Sequence, residues 1–276
     1  MPALKQTLKH IAQSAYEVDG DAFLLAQEML DRIGDVDPEL RDEFIYAVMA
    51  RWILNDVFKP EELLQLTHTL LNRDHLTLGL GNTDSDTVFV RSFSMLLLAP
   101  MLVQHRKQTL FAREDLLAMF HQVTDVFLRE QDLRGYIPGK GWAHAPAHCA
   151  DVLAEFALCN ELGQSELMCI LDIIRKKICT GDQYFAFDED ERMVTAVIST
   201  ISRGELPERF VRSWLASFKT AFQNDLDQPI QMWQRANLRH FLRALDYRFK
   251  QIGVLNFQNE LSDALKSVSP WQSVPS

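Results

Sequence analysis

Two histidines and an aspartate lie close together near the middle of this 276-residue chain. His148 and Asp151 are three residues apart, so on a helix they share one face, and His144 lies just before them. Two imidazoles and a carboxylate suit a divalent metal such as zinc, manganese or iron. One hypothesis is therefore a hydrolase, with His148 and Asp151 as catalytic residues and with His144, His148 and Asp151 as metal ligands.

The segment that leads into these histidines, Asp132 to Ala145, is predicted as a glycine-rich loop and favours a second chemistry. Arg134 and Lys140 stand among three glycines, and Pro146 belongs in the first turn of a helix that should begin near Ala145. Backbone N–H groups at a helix start, together with nearby cations, favour an anion such as phosphate or carboxylate. The glycines do not form a phosphate-binding loop, because both the required spacing and a preceding strand are missing.

The same residues also allow a purely structural interpretation. Histidines at a helix start often bond to neighbouring backbone, glycines often only form a tight loop, and Trp142 can fill a gap in the core. In that case the segment braces a helical adaptor and binds nothing.

A helix is predicted from Asp86 to Val103. It is apolar on nearly every side except around Arg91 and Ser94. An arginine buried in such a helix must pair with a carboxylate or another anion, because an isolated buried charge is very costly. The partner is either a neighbouring acid, which would make Arg91 structural, or a ligand that Arg91 orients.

An acidic cluster, Asp188-Glu189-Asp190-Glu191, opens another predicted helix. Acids in a first turn offset the helix dipole, which explains them without a function. They would also fit one wall of a ligand-binding cleft that contains Arg91 and the histidines. There Asp188 or Glu191 would pair with Arg91, complete a metal site or serve as a base. Two carboxylates across a cleft would suit glycoside hydrolysis, by analogy of fold alone.

The predicted ligand-binding set comprises Arg91, Ser94, Arg134, Lys140, Trp142, His144, His148, Asp188 and Glu191. A separate basic stripe lies on a late helix and consists of Arg235, Arg239, His240, Arg243 and Arg248. This stripe is either a solvated face or a surface for an acidic partner protein.

Composition narrows the partners and the location. A net charge of −10 argues against nucleic acid and anionic membrane surfaces, since neither attracts an acidic protein. The longest apolar stretch, Met95 to Val103, is too short to span a bilayer. The four cysteines lack the CxxC spacing of a metal or redox motif. A cytoplasmic protein is the expectation.

Apolar residues recur at helical spacing along most of the chain, and breakers divide it into about ten to twelve helices. The fold class is therefore predicted as all-α, with helical hairpins in series that form a HEAT-like α-solenoid or an α/α toroid. No shift in composition marks a boundary, so residues 1–276 are expected to form one domain.

Four stretches resemble a bacterial family known as domain of unknown function 2785. They are Phe89 to Ser94, Arg134 to Tyr136, Gly141 to Asp151 and Asp188 to Arg192. The resemblance covers about residues 40–249 and implies a bacterial, largely helical protein, but it transfers no catalytic residues. The leading hypothesis is a helical repeat protein that binds a small anionic ligand or a peptide in a concave cleft; the hydrolase and the structural adaptor are the alternatives.

Overall fold

The computed structural model describes residues 2–221 and 227–269, and helices dominate them. The helices up to the middle of the chain are α1 (Pro2–Gln13), α2 (Ala22–Leu30), a π-helix (Glu39–Tyr46), α3 (Ala47–Leu54), α4 (Pro60–Leu71), α5 (Thr87–Gln108), α6 (Arg113–Arg129) and α7 (Ala145–Ala157). The later ones are α8 (Gln164–Ile178), α9 (Glu189–Ser202), α10 (Glu208–Ala216), a 3₁₀ helix (Ser217–Thr220), α11 (Ile230–Gln251) and α12 (Gln258–Ser267). The all-α prediction is confirmed.

One segment expected to be a loop contains a small hairpin. Strands β1 (Tyr136–Ile137) and β2 (Gly141–Trp142) pair antiparallel, with Tyr136 opposite Trp142. Gly139 in the connecting turn has a φ of 79°, a left-handed conformation that suits glycine. These are the only strands among the described residues, and they are too short to show the alternation that predicts strands from sequence.

The chain divides into two compact units, Met1–Glu155 and Phe156–Ser276, and the division falls inside α7. In the first unit α2 packs on α4, and α3 and α4 both pack on α5. In the second, α8 packs on α9, α9 on α11, and α10 on α12. Helices two apart in the chain are thus repeatedly in contact.

Helix α5 supplies much of the apolar core. By length and composition alone, this helix could cross a membrane. Its longest uninterrupted apolar stretch, Met95 to Val103, is shorter than a membrane span. However, 78% of its most apolar 18-residue window is buried inside the structure. Burial within the protein therefore accounts for its composition.

The helices of the second unit pack around α11. Leu238, Phe241 and Leu245 of this helix are fully buried. The buried Asn237 accepts a hydrogen bond from the Phe185 N–H (2.9 Å) and donates one to the Gln183 carbonyl (2.8 Å). This amide fixes the loop before α9 to α11, so α11 has a defined inner and outer face.

Candidate functional site

Helix α7 begins at Ala145, as Pro146 predicted, and the residue before it has an unusual backbone. His144 has a φ of 54°, in the left-handed region that costs a non-glycine residue about 1 kcal/mol or more. Its N–H donates to the Arg134 carbonyl (3.0 Å), and its own carbonyl accepts from the His148 N–H (3.0 Å). These two bonds tie the hairpin to the first turn of α7.

The buried hydroxyl of Ser92 in α5 determines which nitrogen of His148 carries the proton. Ser92 Oγ donates its hydrogen to the Ala143 carbonyl and lies 2.7 Å from His148 Nδ1. A hydroxyl has one hydrogen, so Ser92 must accept at the second contact, and Nδ1 carries the proton that is donated. The lone pair of neutral His148 is then on Nε2, which is the atom that would act as a base or bind a metal.

A series of ring contacts runs from the surface to the core. Trp142 stacks on His144 with ring centroids 4.9 Å apart, and His144 meets His148 edge to face at 5.6 Å. His148 in turn contacts Phe93 of α5 at 5.0 Å. At the surface end, Trp142 meets Tyr136 across the hairpin at 5.0 Å. The two histidines predicted as metal ligands, His144 and His148, therefore belong to a packed series of rings.

Arg91 is fully buried, and its partner is an acid rather than a ligand. Its Nε and Nη2 donate to the two oxygens of Glu130 at 2.6 and 2.9 Å, and its Nη1 donates to the Leu78 carbonyl at 2.7 Å. Glu130 directly follows α6 and is also nearly fully buried. Because the bidentate pair with Glu130 neutralises the guanidinium charge, Arg91 does not need an anionic ligand as a partner.

The two cations of the hairpin segment also have carboxylate partners, but with different exposure. Arg134 donates to both oxygens of the buried Asp132, at 2.8 and 2.5 Å. Asp132 raises the pKa of the Arg134 guanidinium further. Lys140 Nζ lies 2.7 Å from Asp86, and both of these side chains are about half exposed. Lys140 is therefore the cation that a ligand can reach.

Arg41 of the π-helix supports the hairpin from below, a role that no local pattern in the sequence signals. It is fully buried, and its Nη2 donates to the carbonyls of Lys140 (2.8 Å) and Trp142 (3.4 Å). Its guanidinium lies 4.1 Å from the ring centre of Phe89. The adjacent Asp42 forms an ion pair with Arg41 Nε at 2.8 Å.

Asp42 completes this support. Its carboxylate accepts a hydrogen bond from the Trp142 backbone N–H. Burial raises the pKa of Asp42, and the neighbouring Arg41 charge opposes that rise. Arg41 and Asp42 thus bond to three backbone groups of the β2 strand and its turn.

The other predicted site residues lie in several places. Ser94 is fully buried in α5, and its hydroxyl has no hydrogen-bond partner among the residues that the structure describes. Asp151 is half-buried on α7, one turn after His148. Asp188 and Glu191 belong to the second unit, where Glu191 lies 3.6 Å from Arg248 and Asp188 precedes α9 with a φ of 63°.

Replacing Ser92 with alanine should change the tautomer of His148. Without the Ser92 oxygen, the Nδ1–H of His148 and the buried Ala143 carbonyl lose their partner, and we expect a loss of about 1–3 kcal/mol in the free energy of unfolding. Two-dimensional NMR of ¹⁵N-labelled imidazole should show the proton leaving Nδ1.

Ser94→Ala is the matched control in the same helix. Because this hydroxyl is buried without a partner, its removal should leave stability unchanged or raise it. An unaltered His148 tautomer in Ser92→Ala would refute the assignment.

Comparison with known families and proteins gave one match. Residues 76–246 match the family described as protein of unknown function (DUF2785). This range begins later than the 40–249 expected from the resemblance, and it contains the hairpin, α5 to α10 and most of α11. Neither the curated proteins nor the solved structures gave a significant match.

Proposed function

The chain belongs to the DUF2785 family, and we propose that it is a binding protein whose hairpin, Tyr136 to Trp142, takes a peptide that carries a carboxylate beside an apolar side chain. One observation carries this proposal: a rigid support holds two exposed aromatic rings. Tyr136 and Trp142 are 47% and 37% exposed although their rings touch each other. Tyrosine and tryptophan in such positions are typical anchors of binding surfaces.

Contacts with the surrounding residues hold the hairpin in one shape. The buried Arg41 and its neighbour Asp42 bond to the backbone of the hairpin, and Gly141 lies directly against Arg41. Arg134, just before the first strand, bonds to Asp132. A two-stranded hairpin of this size would not be stable alone in water, so these contacts determine its shape. A preformed surface binds more tightly because less conformational entropy is lost on binding.

Lys140 supplies the preference for a carboxylate. Its pair with Asp86 is exposed, and such pairs contribute only about 0–1 kcal/mol. An incoming carboxylate can therefore replace Asp86 at little cost, whereas it cannot replace the buried Asp132 at Arg134. The binding surface then has one cation beside two aromatic rings.

The wider setting supports a helical repeat protein in the cytoplasm as part of the same proposal. Contacts between helices two apart in the chain, such as α3 with α5 and α9 with α11, are typical of stacked hairpins as in HEAT-like folds. All four cysteines have free thiols, and burial raises the pKa of Cys179 to about 11. Free thiols of this kind suit a reducing compartment.

Fluorine NMR of protein labelled with 5-fluorotryptophan would test the site, with Trp142→Phe to assign its signal. The probes are capped hexapeptides that contain Leu-Glu or Phe-Glu, and matched peptides with glutamine in place of glutamate. The Trp142 signal should shift on titration with the acidic peptides. Lys140→Gln should weaken the binding of acidic peptides about threefold to tenfold and leave the glutamine peptides unaffected.

Lys219→Gln is the matched control, because Lys219 forms a similarly exposed pair with Asp263 at 2.8 Å. Its affinity for every peptide should equal that of the wild type. The proposal fails if the Trp142 signal does not respond to any peptide, or if Trp142→Ala, correctly folded by circular dichroism, binds the acidic peptides as tightly as the wild type.

A further inference from the structure

Two arginines on α11 in the second unit have no carboxylate partner within residues 2–221 and 227–269. Arg243 is exposed and Arg239 half-exposed, and neither forms a hydrogen bond or an ion pair with any residue that the structure describes. By contrast, Arg91 and Arg134 each have an acid within 3 Å. Two unpaired guanidinium groups one turn apart repel each other, so the fold itself gains nothing from this arrangement.

Large exposed side chains lie on the same face of the helix. At 100° per residue, Met232, Arg239 and Arg243 fall within about 40° of one another, and Tyr247 follows about 40° further round. Met232 and Tyr247 are each 61% exposed. These four residues, the α11 strip, span about 22 Å of helix, with two cations between two apolar ends.

The charges of Arg239 and Arg243 affect the pKa of His240 on the same helix. Burial lowers the pKa of His240, and Arg239 and Arg243 lower it further, while Asp190 of α9 opposes them. The Tyr184 ring contacts the His240 ring at 6.0 Å on that side. Asp246 lies on the face of Arg239 and Arg243, but it is paired with Lys250 at 2.6 Å, so the net charge of this face stays positive.

We propose that the α11 strip binds an acidic amphipathic helix of a partner protein. Glutamates four residues apart on such a helix repeat every 6 Å, which is also the rise between Arg239 and Arg243. Apolar residues one to two turns away on the partner would cover Met232 and Tyr247. Methionine, tyrosine and arginine are enriched at protein interfaces. The two apolar ends of the strip favour a protein over a nucleic acid, since the net charge of −10 repels both kinds of acidic partner alike.

This inference does not depend on the hairpin site, and fluorescence anisotropy of the full chain would test it. The probe is a fluorescein-labelled helical peptide of about 18 residues with two central glutamates four apart and leucines toward both ends. A matched peptide has glutamine at both acidic positions. The acidic peptide should bind more tightly at low salt than at high salt, and the glutamine peptide at least about tenfold more weakly than the acidic one.

Variants locate the binding on the α11 strip. Arg239→Gln with Arg243→Gln should weaken the binding of the acidic peptide at least about tenfold, and Met232→Ser with Tyr247→Ser by several-fold. Arg209→Gln is the matched control, since Arg209 is an exposed arginine elsewhere in the same unit.

Three results would overturn the proposal. The first is no saturable binding of the acidic peptide up to about 1 mM. The second is equal affinity of the wild type and the correctly folded double arginine variant. The third is tighter, arginine-dependent binding of a fluorescein-labelled single-stranded RNA 12-mer, which would make the partner a nucleic acid.

Discussion

Replacing Glu130 with glutamine is expected to lower the free energy of unfolding by about 3–5 kcal/mol, because it leaves the Arg91 charge buried without a counter-charge. The Arg91 side chain is fully buried, and both of its bonds to Glu130 are 2.9 Å or shorter. An amide can accept one of these bonds but does not neutralise the guanidinium. The loss should therefore exceed that of an ordinary hydrogen bond, about 1 kcal/mol.

Urea denaturation of the two proteins would measure this difference. Asp125→Asn is the matched control, since Asp125 lies on α6, which Glu130 directly follows, and its pair with Arg129 is exposed. That change should cost less than about 1 kcal/mol. In a double-mutant cycle, Arg91→Met combined with Glu130→Gln should cost clearly less than the sum of the two single changes. Additive losses, or a loss near that of Asp125→Asn, would contradict a buried pair.

This pair also shows what the sequence could and could not predict. The apolar pattern of α5 predicts that Arg91 is buried and needs an anion. It does not identify Glu130, which lies 39 residues away just after α6, because the pairing depends on where the end of α6 lies relative to α5. The choice between a structural acid and a bound ligand therefore needs tertiary contacts.

The candidate site also contains features that the sequence predicts and features that it does not. Pro146 predicts the start of α7 correctly because it acts through local backbone geometry. The hairpin was expected to be a loop, and Arg41 has no local signal, since its bonds to Lys140 and Trp142 cross about 100 residues of chain. Predictions from the sequence are thus reliable where a residue acts on its own turn and fail where distant segments meet.

Gly141→Ala should be the most damaging small change in the hairpin, with an expected loss of about 2–4 kcal/mol in the free energy of unfolding. Gly141 has a φ of 78°, and a methyl group there would lie 2.7 Å from Cβ of Pro38 and 3.0 Å from Nη2 of Arg41. The proline ring cannot rotate away, so the hairpin must move off Arg41. The bonds from Arg41 to the Lys140 and Trp142 carbonyls should then weaken, and peptide binding at Trp142 should fall with them.

Gly139→Ala separates the backbone cost from the contact cost. Gly139 has a φ of 79°, almost that of Gly141, but a methyl group there would meet no atom within 4 Å. This variant should therefore lose only about 1 kcal/mol, the cost of the left-handed conformation. Thermal and urea unfolding of both variants would give the difference. Equal losses would mean that the Pro38 and Arg41 contacts do not hold the hairpin in place. That result would contradict the rigid support on which the proposed binding site depends.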